Sequence, residues 1–123
     1  MNVRDTETIK KREFIIIKRG LLHILHKTSD IAYVYMENEI TYLISKDGVR
    51  HVCFDNLNSI EEKLDDDFFR ANRQHIINIA FIKSYRIYEK GKIMVDMLVN
   101  ESRSPICISQ RTSPKFREWI TRF

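Results

Sequence analysis

The stretch "ITYLISKDGVRHVCF", residues 40 to 54, restricts the fold more than any other. Two short runs rich in β-branched and aromatic residues, 40 to 45 and 49 to 54, flank Lys46-Asp47-Gly48. Asp-Gly tolerates the positive φ of a tight turn, so the stretch reads as a β-hairpin. The same pattern recurs along the chain. "EFIIIK" (13 to 18) and "LLHILH" (21 to 26) flank Arg19-Gly20, and "IAYVYM" (31 to 36) stops at the polar break Glu37-Asn38-Glu39. "KSYRIYE" and "KIMVDML" meet at Lys90-Gly91, and "ICIS" (106 to 109) makes a last strand. A chain punctuated this way folds into sheets.

Two segments fit helices instead. In residues 56 to 64, Asp55 or Asn56 can cap, and Leu57, Ile60 and Leu64 fall on one face. Ser113-Pro114 announces a second helix over 114 to 122, with Ser as cap and Pro at the first helical position. Phe116, Trp119 and Ile120 form its apolar face, and Trp119 is expected to be largely buried. No βαβ alternation is visible, which argues against a doubly wound nucleotide-binding fold. The expected class is mainly β with two short helices.

A length of 123 residues fits one domain, and a 43% hydrophobic content suits a packed core. Residues 1 to 12 are expected to be a linker or disordered terminus and 13 to 123 the folded domain. The opening "MNVRDTETIKKRE" matches neither a signal nor a transit peptide, and no apolar run approaches the roughly 18 to 20 residues that span a bilayer. A cytoplasmic protein without membrane contact is expected. Cys53 and Cys107 have apolar neighbours and read as buried thiols, with a redox pair as the other reading.

Enzyme chemistry finds little support. The chain has no phosphate-cradling glycine loop, no nucleophile elbow and no metalloprotease motif, so neither catalysis nor a cofactor is expected. Asp65-Asp66-Asp67 follows a helix end and reads as a solvated turn. His51 and Cys53 share a strand face without an evident third ligand, and His23 and His26 would point to opposite faces. A metal site is not expected.

Charge points elsewhere. The net charge of +4 divides into −3 over residues 1 to 69 and +7 over residues 70 to 123. So basic a half suggests a polyanionic partner, against the plainer reading of a solvated surface. "FFRANRQHIINIAFI" (68 to 82) concentrates the signal, because the donors Arg70, Asn72, Arg73 and Gln74 interrupt an otherwise core-like run. Gln110 and Arg111 stand between the last strand and the last helix. Arg can bind guanine through paired hydrogen bonds, as Asn and Gln can adenine. Lys115 and Arg117 lie at the start of the helix, where backbone N–H groups also attract phosphate. Asn78, between apolar residues, more plausibly satisfies nearby backbone.

Taken together, "DIAYVYMENEITYLIS", "DDDFFRANRQHIINIAFI" and "ICISQRTSPKFREWI" resemble the LytTR (LytR/AlgR-type) DNA-binding domain over about residues 13 to 122. The shared pattern is an Asp-Ile strand entry, a short helix with Leu57 and Leu64, Phe69-Arg70, a polar loop, Ile77-Asn78, and Ser109-x-Arg111 before a helix. The resemblance implies an elongated β fold whose loops, rather than a recognition helix, enter successive major grooves of double-stranded DNA. It also implies transcriptional regulation in a bacterial two-component system, where most members carry the domain behind a phosphoacceptor receiver. Paired direct repeats as target, and dimers or paired protomers on DNA, follow from it too. It places base reading at Asn38 to Thr41, at residues 72 to 74 around Arg73, and at Arg111. Members often carry His where this chain has Asn72, and the first loop here offers Glu37, Asn38, Glu39 and Thr41 without a basic residue. No receiver is present, so the chain reads as an excised output domain or a stand-alone regulator.

Two rivals remain at this level. A sequence-indifferent RNA- or single-strand-binding module would need exposed aromatic platforms, and Tyr85 and Tyr88 fall on opposite strand faces. A protein-interaction domain would need an exposed apolar patch.

Overall fold

The runs of β-branched and aromatic residues all become strands. The computed structural model describes residues 13–100 and 104–123, and the linker expected over 1 to 12 lies outside them. In chain order come β1 (Phe14–Arg19), β2 (Leu22–Lys27), β3 (Ile31–Glu37), β4 (Ile40–Ser45), β5 (Arg50–Cys53) and helix α1 (Leu57–Lys63). Then follow β6 (Phe68–Asn72), β7 (His75–Asn78), β8 (Ile82–Ile87), β9 (Ile93–Met97), β10 (Ile106–Ile108) and helix α2 (Ser113–Ile120).

Among the described residues the strands form three sheets: the pair β1-β2, a five-stranded sheet in the order β5-β4-β3-β7-β6, and a three-stranded sheet in the order β10-β9-β8. All strand pairs are antiparallel. The β4–β5 hairpin turns at Gly48 with φ 82, as Asp-Gly requires. The β3–β4 turn holds only Asn38 and Glu39, both left-handed at φ 52 and 64. Glu39 takes a backbone there that favours Gly, at a cost of about 1 to 2 kcal/mol.

The five-stranded sheet is covered on both faces. Period-2 alternation sends Val34, Leu43 and Ile76 to one face, against Ile15 and Ile17 of β1 and Leu57 and Ile60 of α1. Tyr33, Ile44 and Ile77 face the other way, onto Ile93, Val95, Ile106 and Ile108 of the smaller sheet and Phe116 and Trp119 of α2. Burying each such aliphatic side chain stabilises the fold by about 1.5 to 3 kcal/mol. Trp119 is 5% exposed, as expected, and its Nε1–H donates to the Asp66 carbonyl at 2.7 Å.

Asn56, one of the two expected caps, accepts from the Ser59 N–H at 2.8 Å. The second helix differs from expectation. It begins at Ser113 and ends at Ile120, and Thr112 is its cap, with no side-chain hydrogen bond. The carbonyl of Ser109 instead accepts from the N–H groups of Thr112 and Ser113 at 3.1 and 2.9 Å. The N–H groups that a Ser113 hydroxyl would have capped, those of Lys115 and Phe116, donate to the Thr112 carbonyl at 3.0 and 3.2 Å, and Ser113 is buried.

Asn78 satisfies backbone as expected. Its Nδ2 donates to the Ile31 carbonyl at 2.8 Å and its Oδ1 accepts from the Ala80 N–H at 3.0 Å. Both cysteines are free thiols. Cys53 is buried, and desolvation, reinforced by Asp55, pushes its thiol up to about 11. Cys107 is half-buried.

Candidate nucleic-acid interface

The polar stretch after Phe69 is mostly strand. β6 continues through Asn72 and β7 resumes at His75, so the turn is Arg73-Gln74 alone. The ladder absorbs one extra residue between Arg70 and Asn72, a β-bulge with Ala71 fully buried.

Two of the expected DNA-binding side chains are occupied in building this hairpin. Arg70 Nε donates to the Asn72 carbonyl at 2.8 Å and its Nη2 to the Arg73 carbonyl at 2.9 Å. Its Nη1 reaches Asn58 Oδ1 at 2.9 Å and Glu61 Oε1 at 2.6 Å on α1. The guanidinium fork thus ties the tip of the hairpin to a helix. Asn72 Nδ2 donates to the Cys107 carbonyl of β10 at 2.8 Å, and its Oδ1 accepts from the Gln74 N–H at 2.8 Å. That oxygen also meets His75 Nδ1 at 3.0 Å. Burial lowers the His75 pKa, which favours the neutral ring, and the contact with an acceptor places its proton on Nδ1.

Arg73 and Gln74 are different. Both are exposed, and among the described residues no hydrogen bond or ion pair engages either side chain. The Gln74 carbonyl accepts from the Met36 N–H at 2.9 Å, which brings the tip beside the end of β3 and hence the exposed Asn38-Glu39 turn. Thr41 does not share that exposure. It is 3% exposed, pairs with Cys53, and lies two residues from buried Leu43, so its side chain packs inward. The alternation of β4 already carried that signal.

Gln110, Arg111 and Lys115 are exposed around the β10–α2 junction, and Arg111 makes no ion pair with a described residue. An open cleft of about 1030 Å³ lies between the hairpin tip and Lys115; the Arg70–Glu61 ion pair lines it too, while Gln110 and Arg111 lie outside its lining. Asn72, Arg73 and Gln74 line one wall, and Ser109, Thr112 and Lys115 the other. Two exposed cationic side chains, Arg73 and Lys115, thereby face one opening. Sequence reasoning missed the supports Asn58 and Glu61. Their spacing of three on one helix face was the available signal.

Among the described residues no group of three or more His, Cys, Asp and Glu side chains could hold a metal ion. His26 and His51, distant in sequence, do meet with ring centroids 5.1 Å apart. Among the described residues no helix is long and apolar enough to cross a membrane.

A family model described as the LytTr DNA-binding domain matches residues 23–121. Among solved structures, the chain is similar to the LytTr DNA-binding domain of a response regulator from Bacillus cereus. The TM-score is 0.70 and the identity 20%, over 89% of this chain and 97% of that one. At that identity the likeness is one of fold. No curated protein matches.

Proposed function

Since the chain belongs to the LytTr DNA-binding domain family, we propose that it recognises specific double-stranded DNA as the output domain of a two-component transcriptional regulator. One observation carries the reading: Arg73 and Gln74 project unengaged from a braced two-residue turn and face Lys115 across an open cleft. Arg73, Gln74, Arg111, Gln110 and Asn38 read base edges in the major groove, and Lys115 holds phosphate. Arg70 and Asn72 position the reading turn rather than touch bases, and Thr41 packs beneath the neighbouring turn. The domain catalyses nothing and works in the cytoplasm. Paired protomers occupy adjacent direct repeats.

Phe54, Tyr85 and Tyr88 are exposed, so the single-strand reading keeps part of its requirement, and the comparison of duplex with single strands decides it. The Tyr85 ring meets Phe116 edge-on at 5.2 Å, and Arg50 lies over the Tyr42 ring at 4.7 Å. The outer face of β1-β2 exposes Phe14, Ile16 and Leu25, a surface suited to a protein partner alongside DNA.

Binding is tested against duplex DNA, duplex RNA and single strands, then against a duplex selected from a random pool and its scrambled form. Arg73→Ala and Arg111→Ala should lose about 1 to 3 kcal/mol, chiefly on the selected duplex. Lys115→Ala should weaken both duplexes alike. Equal losses on both duplexes for the two arginine variants would remove them from base reading.

A further inference from the structure

The turn joining β8 to β9 carries charge on a backbone that disfavours side chains. Lys90 has φ 69 and ψ 6, the left-handed region, and Gly91 follows at φ 87. A β-carbon makes this conformation costly, so Gly or Asn would sit there with less strain. A strained non-glycine residue directs attention to its side chain.

The turn does not stand apart from the β10–α2 junction. A β-carbon built on Gly91 would lie 3.9 Å from Gln110 Cγ, 3.9 Å from Ser113 Oγ and 4.0 Å from Arg117 Nη2. Arg117 therefore reaches back to the turn. It lies two residues beyond Lys115, about 200° around the helix, so the two cations flank α2 on opposite sides. Lys115 faces the cleft and Arg117 faces the turn. Lys90, Lys92 and Arg117 are all exposed, and no hydrogen bond or ion pair with described residues engages their side chains. Glu89 is the one acid in residues 89 to 92, and Glu118 lies about 100° around the helix from Arg117.

We propose that Lys90, Lys92 and Arg117 form a second phosphate grip, which holds the DNA backbone on the side of Arg111 away from Arg73. The proposal rests on the duplex-binding reading above and extends its footprint past the cleft. A grip made of point charges on long stems adds affinity without reading sequence. Its position beside Gln110 also holds the duplex where Arg111 meets it.

The test is salt-titrated binding of the full chain and of Lys90→Gln/Lys92→Gln/Arg117→Gln to the selected and scrambled duplexes, beside their melting curves. At about 0.9 per phosphate, the slope of log affinity against log salt should shrink by about 2.7 on both duplexes. The ratio between duplexes and the melting temperature should stay unchanged. Lys90→Gly alone should raise the melting temperature while the slope falls by about 0.9. An unchanged slope in the triple variant, with the parent binding duplex, overturns the grip and leaves the DNA reading standing. Loss confined to the selected duplex would make these residues readers and overturn the grip equally. A parent that binds no duplex overturns the underlying reading, and the grip with it.

Discussion

Arg70 donates to the main-chain carbonyl of Arg73 at 2.9 Å, so one arginine holds the backbone from which the other projects. Two residues with the same head group, three apart, thus have opposite employments. Arg70 is half-buried and bound to α1, while Arg73 is free in solvent.

Their variants should separate cleanly. Arg70→Ala leaves two carbonyls and Glu61 without their donor, and should cost about 1 to 3 kcal/mol of stability. Arg73→Ala should change stability by less than about 0.5 kcal/mol, as surface substitutions do. Urea unfolding of both variants checks this, and equal destabilisation would contradict the division of roles.

Asn72 makes a sharper case, because its two amide atoms serve different strands. Asn72→Asp keeps the acceptor for the Gln74 N–H and removes the donor to Cys107. It should lose about 1 to 3 kcal/mol through the unsatisfied carbonyl. Hydrogen exchange should show faster opening of β10 with the Gln74 amide still protected. Protection lost first at Gln74 would assign the residue differently.

Stability should fall on mild acidification. Burial lowers the pKa of His75, and burial followed by the nearby His51 lowers that of His26, whose Nε2 has no hydrogen-bond partner among the described residues. Both rings are therefore held neutral in the fold, while the unfolded chain takes up protons near pH 6.5. Unfolded chains then bind more protons, so stability rises with pH in that window. It is full above about pH 6.5, declines as pH drops through that value, and levels off below the folded pKa values. His26→Gln/His75→Gln should flatten the decline between pH 7.5 and 5 in denaturant unfolding. An equally steep decline in the double variant would exclude these rings as its source.

A single module of this kind buries only about 600 to 1,000 Å² of protein on DNA. One half-site should hold the chain weakly, and two adjacent repeats much more tightly through effective concentration. Titrating duplexes with one and two copies of the selected site measures the difference. Equal affinity per protein on both would refute paired binding.

Strands, turns and helices were legible because their signals are local. Gly20, Gly48 and Gly91 mark hairpins through positive φ, and Trp119 declares a buried helix face through its spacing from Phe116. The hairpin tip at residues 73 and 74 was only partly legible. Arg70, Asn72, Arg73 and Gln74 look alike in sequence, and what sorts them is distant: Asn58 and Glu61 on α1 for Arg70, and a β10 carbonyl for Asn72. Thr41 could have been sorted from sequence, since the period of β4 sets it beside Leu43 on the buried face. Resemblance placed it in the reading loop, and packing places it underneath.

The bulge at Ala71 also has a consequence for strand register. Phe69 and Ala71 both pack toward the core shared with β10, and the extra residue lets Asn72 reach toward β10 as well. Were β6 regular at its present length, strict alternation would put Asn72 on the Arg70 side and reverse the facing of Arg73. The bulge therefore sets the direction in which the tip points. A register slip that erased it would turn Arg73 away from the cleft, so the register of this strand should matter more to the tip than its individual letters.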